Sequence, residues 1–382
     1  MPTDTHTQRG KLEGILGYVR ERHGSDWRVQ LDLGGFVRQR LRDFHGWKCD
    51  GVIAYINTPS TRRQFISARL PTVLIEPFLS PHSPIRTHPR IVTFVNDHAR
   101  EGRTAAEHFL SLHFRSFAFV GTAEITPWSR LRLHGFRERL RESGMTCRAY
   151  PNLPEEERAD FALEMTRLVK WLKTLPRPTA LFAAHDIRAR QVLTAADAAG
   201  IDVPSHVAVL GVDDDELICE TSSPALSSIP TQDRSLGYAC GRALDELFKG
   251  HPGNKTIRTA HTHVVCRAST DTNAVEDPFV ARALVWARKN LSSGASVEAI
   301  AKGISYSKRL LQMRTRNALG TTLGAEVRRI MVDTAAEMLL ATDKPITDIA
   351  AECGFTSVSH LSLRFRELYG LTPLSFRKSR AH

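Results

Sequence analysis

No apolar stretch in this chain approaches the ~20 residues a membrane-spanning helix needs. Nothing like a signal peptide opens it either, since Met1 to Arg9 is polar and no apolar core follows. A soluble, cytoplasmic protein with no membrane partner is therefore expected. Cysteine is sparse: Cys49, Cys147, Cys219, Cys240, Cys266 and Cys353 are scattered without a C-x-x-C pair. That pattern suits reduced, mostly buried thiols and not a disulfide frame or a zinc site. His261 and His263 alternate on an expected strand without clustered partners, so no metal and no cofactor is anticipated. Also missing are a P-loop, a G-x-G-x-x-G after a strand and a G-x-S-x-G elbow. No catalytic residue can be nominated, and an enzyme is not expected.

What is present is a chain of 382 residues, too long for one ordinary core and suited to two or three domains. Its hydrophobic fraction of 42% is that of globular proteins. The formal charge of +11 suits a polyanionic partner, and its distribution is uneven. From Asp277 onward about 16 Lys/Arg face 9 Asp/Glu, an excess of +7, against 36 and 32 before it. Most of the excess sits on little more than a quarter of the chain.

Between residue 10 and about 270, short Val/Ile/Phe-rich runs alternate with longer amphipathic stretches. The runs Gly51–Ile56, Thr72–Ile75, Ile91–Val95, Phe117–Gly121, Ala180–Ala184 and Val207–Val212 suit a buried parallel sheet. The stretches Lys11–Arg22, His98–Leu112, Arg130–Ser143, Phe161–Thr174, Asp186–Ala199 and Ser235–Lys249 suit helices, giving a doubly wound α/β fold. After Val275 the strand-like runs stop and short helices broken by glycine and proline take over. The expected domains are 1–272, α/β, and 277–382, all-α.

The C-terminal region holds two segments of one design. Val297, Ile300 and Ala301 form a short apolar face, Gly303-Ile304-Ser305 a turn, and Ser307 to Leu319 a basic helix. Ile346, Ile349 and Ala350, then Cys353-Gly354-Phe355, then Ser357 to Tyr369 repeat it. A short helix, a tight turn and a longer polar helix make a helix-turn-helix, whose second helix enters the major groove. Between them Val327, Ile330, Met331, Thr334, Met338 and Leu339 are read as one apolar face of a rigid spacer helix.

This region resembles the AraC-type DNA-binding domain over about 100 residues. The run Ile346-Thr-Asp-Ile-Ala-Ala-Glu-Cys-Gly-Phe355, with Phe365-Arg366, Tyr369-Gly370, Thr372-Pro373 and Phe376-Arg377, carries the likeness. The resemblance implies two recognition helices on one monomer, reaching successive major grooves. Thr315 stands where the first motif usually has a core phenylalanine, and Met313 and Leu363 where relatives often place a base-contacting arginine. Readout is therefore assigned to Arg309, Gln312 and Arg316 in the first helix, and to Ser357, Ser359, Ser362 and Arg366 in the second. Arginine suits guanine or phosphate, and glutamine suits adenine. Each residue singly remains open to a merely solvated or phosphate-directed reading.

The α/β region resembles the two-lobed, periplasmic-binding-protein-like sensor of LacI-type repressors. Joined to an AraC-type tail, the whole is similar to the xylose-operon regulator family. The likeness rests on Ala106-Glu107-His108-Phe109-Leu110, Phe117-Ala118-Phe119-Val120-Gly121, Trp128-Ser129-Arg130-Leu131-Arg132, His185-Asp186-x-Arg188, the run Val207 to Asp213, and Leu226-Ser227-Ser228-Ile229. A sugar site needs acceptors for vicinal hydroxyls, a donor in return and an aromatic ring against the apolar sugar face. Asp186 and Asp213 stand just past apolar runs, at strand carboxyl ends where open α/β sheets bind ligands. By resemblance Arg132, Asp186 and Asp213 are the polar sugar ligands. Trp128 is the candidate stacking ring, and Asn96 and Asp97 are further candidates. Asp186 is open to a second role as cap of the helix it begins, and Asp214 and Asp215 read as solvated. The match begins at Arg9-Gly10-Lys11, directly at a helix, without the family's leading strand.

The expected function is a sequence-specific transcription regulator, an activator of pentose (D-xylose) catabolism genes switched by sugar. Its expected partners are double-stranded promoter DNA, a sugar, RNA polymerase and a second copy in a homodimer. The alternative is an AraC-type regulator whose sensor takes a different small molecule or a protein partner.

Overall fold

The computed structural model describes residues 5–22, 26–31, 49–55, 70–77, 79–80, 82–122, 126–151, 160–259, 263–272, 274–275 and 277–378. His261 lies outside them. Two compact units result: Met1–Asp97 with Thr231–Ala260, and His98–Pro230 with His261–His382. The division differs from a cut at residues 272–277, because the second unit combines a sensor lobe with the helical domain.

Sensor elements in chain order are α1 (His6–Arg22), β1 (Val52–Tyr55), β2 (Thr72–Ile75), β3 (Ile91–Asn96), α2 (His98–Ser111), β4 (Phe117–Val120), α3 (Pro127–Glu142) and β5 (Cys147–Ala149). They continue with α4 (Phe161–Leu172), β6 (Thr179–Ala183), α5 (Asp186–Ala198), β7 (Val207–Asp213), α6 (Glu216–Thr221), β8 (Ser227–Pro230), α7 (Asp233–Phe248) and β9 (Lys255–Thr259). The helical domain holds α8 (Pro278–Lys289), α9 (Val297–Gly303), α10 (Lys308–Leu319), α11 (Leu323–Ala341), α12 (Ile346–Glu352), α13 (Val358–Tyr369) and α14 (Pro373–Lys378).

In the first unit a parallel sheet runs β1-β2-β3-β9. Successive residues of β2 point to opposite faces. Val73 and Ile75 pack under α1 and α7 with Ile15, Leu236, Cys240 and Leu244, while Leu74 packs with Ile85 and Ile91. The two helices cross almost backbone to backbone: a Cβ at Gly14 would overlap the Arg234 carbonyl, and one at Gly237 that of Lys11. A buried Lys11–Asp233 ion pair at 2.5 Å and a Tyr18 hydroxyl donating to Asp245 at 2.8 Å tie the crossing.

The sensor lobe of the second unit has a parallel sheet ordered β5-β4-β6-β7-β8. Phe117, Phe119, Phe182, Leu210 and Val212 face α2 and α3 with Phe109 and Phe136. Ala118, Val120, Leu181, Val207 and Val209 face α4 and α5 with Leu168, Leu172 and Val192. Burial on both faces is why these strands read as continuous apolar runs. α2 and α3 meet as closely as the first unit's pair, since a Cβ at Gly102 would overlap the Arg132 carbonyl and one at Gly135 that of Ala99.

In the helical domain every helix from α8 to α11 begins on a side-chain cap, from Asp277, Ser296, Ser307 and Thr322. Such caps satisfy the orphan amides of a first turn. The two helix-turn-helix units have separate cores. Val280, Leu284, Ile300 and Leu311 gather on Val327 and Ile330, and Ile349, Leu361 and Phe365 on Val332, Ala335, Ala336 and Leu339. α11 is therefore two-sided. The single face read from Val327 to Leu339 is really two, one for each core, because a helix shared by two bundles must present both.

The turns also differ from expectation. Ser305, not Gly303, takes the left-handed conformation in the first unit (φ 55°), whereas Gly354 takes it in the second (φ 80°). Gly303 ends α9, where a Cβ would strike the Trp286 indole. Its glycine answers to packing.

Candidate functional site

The sensor lobe's polar centre is built from the first two turns of α3, the start of α5 and the end of β7. Arg132 is buried on α3 with Trp128 one turn before it, its guanidinium carbon 5.0 Å from the indole centroid. Its Nε donates to Glu101 Oε2 at 2.6 Å and an Nη donates to the Ala184 carbonyl. The other Nη lies 3.8 Å from Asp213 Oδ1. Glu101, on α2, also meets His98 Nδ1 at 3.0 Å. Burial alone would raise the Glu101 carboxyl, but Arg132 and His98 overcome it and hold the group at about 2. Arg132 is thus fixed by its Nε and one Nη while the other Nη turns toward Asp213.

Asp213 is half-buried at the end of β7 with φ 114°, and Asp214 follows at φ 52°. Two consecutive non-glycine residues in the left-handed region cost free energy and bend the chain sharply there. Of the expected sugar ligands, Trp128, Arg132 and Asp213 are brought together. Asp186 lies at the start of α5, deeply buried. It is 1% exposed, and its oxygens accept from Ser228 Oγ at 2.6 Å and the Asp215 amide at 2.9 Å. Burial pushes its carboxyl up to about 7 despite those bonds. These two bonds tie Asp186 to β8 and to the β7–α6 turn, and a carboxylate has further lone pairs beyond them. Asp186 does not cap α5: the cap is His185, whose Nδ1 accepts from the Arg188 amide at 3.1 Å.

His185 is the residue sequence reasoning missed. Its ring centroid lies 5.7 Å from that of Trp128, and burial followed by Arg132 and Arg188 lowers its pKa to about 4. The ring is therefore neutral at pH 7, and with Nδ1 accepting, Nε2 carries the proton. The signal available was its place between β6 and α5, the same strand end that drew attention to Asp186. Asp214 and Asp215 are not simply solvated. Asp214 pairs with Arg267 at 2.8 Å and Asp215 caps α6. Asn96 and Asp97 belong to the first unit, at the end of β3, where the Asn96 amide donates to Glu76 Oε1 at 2.7 Å.

The DNA-reading helices match residue for residue. α10 starts on Ser307 and stops at left-handed Gly320; α13 starts on Ser357 and stops at left-handed Gly370. Arg309, Gln312, Met313 and Arg316 on α10 thus occupy the places of Ser359, Ser362, Leu363 and Arg366 on α13, at i, i+3, i+4 and i+7 along one face. All are exposed except Ser362, which is half-buried. Arg309, Arg316 and Arg366 have no ion pair among the described residues, whereas Lys308 pairs with Glu298 and Arg364 with Glu367. Unpaired arginines on an exposed face suit phosphate or guanine. Ser357, also exposed, has a second task, since its Oγ accepts from the His360 amide at 3.1 Å as the cap of α13. Thr315 and Phe365 are both buried at the equivalent inward position, where Thr315 Oγ1 donates to the Leu311 carbonyl at 2.8 Å.

The sensor lobe and the helical domain join through α2 and α11. His113 Nε2 lies 2.9 Å from Glu326 Oε1, and Arg329 reaches the Ser111 carbonyl at 2.7 Å. Arg329 also pairs with Asp333 at 2.7 Å.

Two family models match parts of the chain. A periplasmic binding protein-like domain model matches residues 106–270 and a helix-turn-helix domain model residues 287–379. The xylose operon regulatory protein of Escherichia coli (strain K12) is 26% identical over 372 residues, 97% of this chain and 93% of the relative. That of Haemophilus influenzae (strain Rd) is 27% identical over 331 residues, 86% and 84% of the two chains. A solved xylose-binding transcription activator matches 99% of this chain and 96% of its own at 25% identity and a TM-score of 0.61. A transcriptional regulator solved with cellobiose, 22% identical over 69% of this chain and 79% of its own, shares the fold at a TM-score of 0.56. Among the described residues no helix is long and apolar enough to cross a membrane.

Proposed function

The chain belongs to the xylose operon regulator family, DNA-binding transcription regulators that join a periplasmic-binding-protein-like sensor to an AraC-type domain, and from that membership we propose an activator of pentose catabolism genes switched by D-xylose. The observation that carries the sugar reading is the group Trp128, Arg132 and Asp213, with His185 beside it. An indole face suits the apolar side of a pyranose, the guanidinium donates to ring hydroxyls, and the Asp213 carboxylate accepts from them. Arg309, Gln312, Arg316, Ser359, Ser362 and Arg366 contact DNA, with Ser357 ordering the second reader. The regulator acts in the cytoplasm as a homodimer and recruits RNA polymerase.

Sugar is held by groups that are already ordered, so its differential affinity for one sensor arrangement drives the switch. The α2–α11 junction is our choice of path, because its polar contacts tie the lobe holding Arg132 to the domain holding both readers. Titration calorimetry of the full chain with D-xylose, L-arabinose and D-ribose tests the effector. Saturable heat with a pentose, lost in Arg132→Ala, is the expected result; no heat with any sugar refutes the sugar reading. The commitment of Asp186 to Ser228 and Asp215 favours a second reading, a sensor for a different small molecule. Under it, specific operator binding persists while every sugar titration stays flat.

A further inference from the structure

The second unit contains a cluster that neither the effector site nor the DNA-reading face uses. His108 lies on α2, Cys266 on the segment that pairs back onto β8 through Val265, and Glu337 on α11. Their ligand-type atoms all lie within 4.8 Å of one another, and Cys266 Sγ is 3.8 Å from Glu337 Oε1. His108 Nε2 is buried and has no hydrogen-bond partner. A buried ring nitrogen left unmade costs free energy and calls for an explanation.

We propose that His108, Cys266 and Glu337 form a site for a divalent transition metal of the zinc class, clamping the sensor lobe to the DNA-binding domain.

Imidazole nitrogen, thiolate sulfur and carboxylate oxygen are the donor set zinc prefers to calcium or magnesium chemistry. Bonds of ~2.3 Å to sulfur and ~2.0 Å to nitrogen and oxygen put tetrahedral ligands about 3.3–3.6 Å apart. Cys266 Sγ and Glu337 Oε1, 3.8 Å apart, already stand near that spacing. Water supplies the fourth ligand, and Cys266, which is exposed, gives the ion a way in. Burial, reinforced by Arg288, lowers His108 to about 3, so the ring is neutral and offers Nε2 as a lone pair. Burial raises Glu337 to about 7, with Arg288 opposing and Asp333 adding to the rise. A thiolate and a carboxylate balance a dication, while Asp333 offsets Arg288.

The experiment uses the full chain, reduced and stripped with a chelator, titrated with Co2+ and then Zn2+. Expected are a stoichiometric thiolate-to-cobalt charge-transfer band with tetrahedral visible bands, bleached by zinc, and a zinc-dependent rise in thermal midpoint. Cys266→Ser, a mild change at an exposed position, removes the charge-transfer band and the thermal rise. His108→Ala and Glu337→Gln weaken cobalt binding at least tenfold, whereas Cys353→Ser leaves it unchanged. No charge-transfer band in the wild type, or a band of equal strength in Cys266→Ser, overturns the proposal.

Discussion

Replacing Glu101 by glutamine keeps the shape of the side chain and removes only its charge. In the wild type Arg132 and His98 hold the Glu101 carboxyl at about 2 against an ordinary 4.5. At 1.36 kcal/mol per unit, a shift of that size corresponds to about 3 kcal/mol of stabilisation. The variant loses it and also takes from the buried Arg132 guanidinium the carboxylate that its Nε meets at 2.6 Å, while Asp213 stands 3.8 Å away. Because the folded pKa is depressed, this stabilisation is complete above about pH 4.5 and disappears as pH falls toward 2. Urea unfolding of both proteins between pH 7 and pH 3 measures it. With a slope of about 2 kcal/mol/M, the variant's midpoint at pH 7 drops by about 1.5 M, and the two curves converge on acidification. Equal midpoints at pH 7, or a gap that stays constant down to pH 3, would refute the account of how Arg132 is held.

Two glycines of α1 make opposite predictions: Gly14→Ala collides with the Arg234 carbonyl and costs about 3 kcal/mol, while Gly17→Ala meets nothing within 4 Å and gains up to about 1 kcal/mol, both read from thermal midpoints. Phe365→Ala empties the core of the second helix-turn-helix and costs about 3–5 kcal/mol, against about 1 kcal/mol for Thr315→Ala, whose hydroxyl bonds only its own helix; equal losses in denaturation would contradict the two-core description. Arg309→Ala and Arg366→Ala each weaken operator binding, and a fall of about 1 in the slope of log affinity against log salt marks a phosphate contact, whereas an unchanged slope with relaxed base preference marks a guanine contact.

The sequence displayed the strands that are buried on both faces. Thr72–Ile75 coincides with β2, the runs for β3, β4 and β7 differ by a residue at one end, and that for β6 by a residue at each end. It hid β5, β8 and β9, each at an edge of its sheet. Edge strands need no apolar side chains on both faces, so Cys147-Arg-Ala149 and Lys255-Thr-Ile-Arg-Thr259 show no run to find. β8 is buried yet polar, because Ser227 and Ser228 bond to Thr270 and Asp186, far away in the chain. The same non-locality explains the site. Trp128 and Arg132 share one helix turn and could be read together. The work of Asp186 depends on Ser228 and Asp215 and could not. His108, Cys266 and Glu337 have no spacing that a motif could capture, and only the packing of α11 against the sensor lobe gathers them.

α2 has a role that reaches beyond either site. Its first turn carries His98 and Glu101, which grip Arg132, and its last residues carry the Ser111 carbonyl that Arg329 holds. Fourteen helical residues span about 20 Å, and the Gly102–Gly135 crossing leaves no slack between this rod and α3. Anyone redesigning the sensor for a new inducer can rewrite the residues that face the sugar. A graft that replaces α2 would remove the grip on Arg132 and the anchor for Arg329 together.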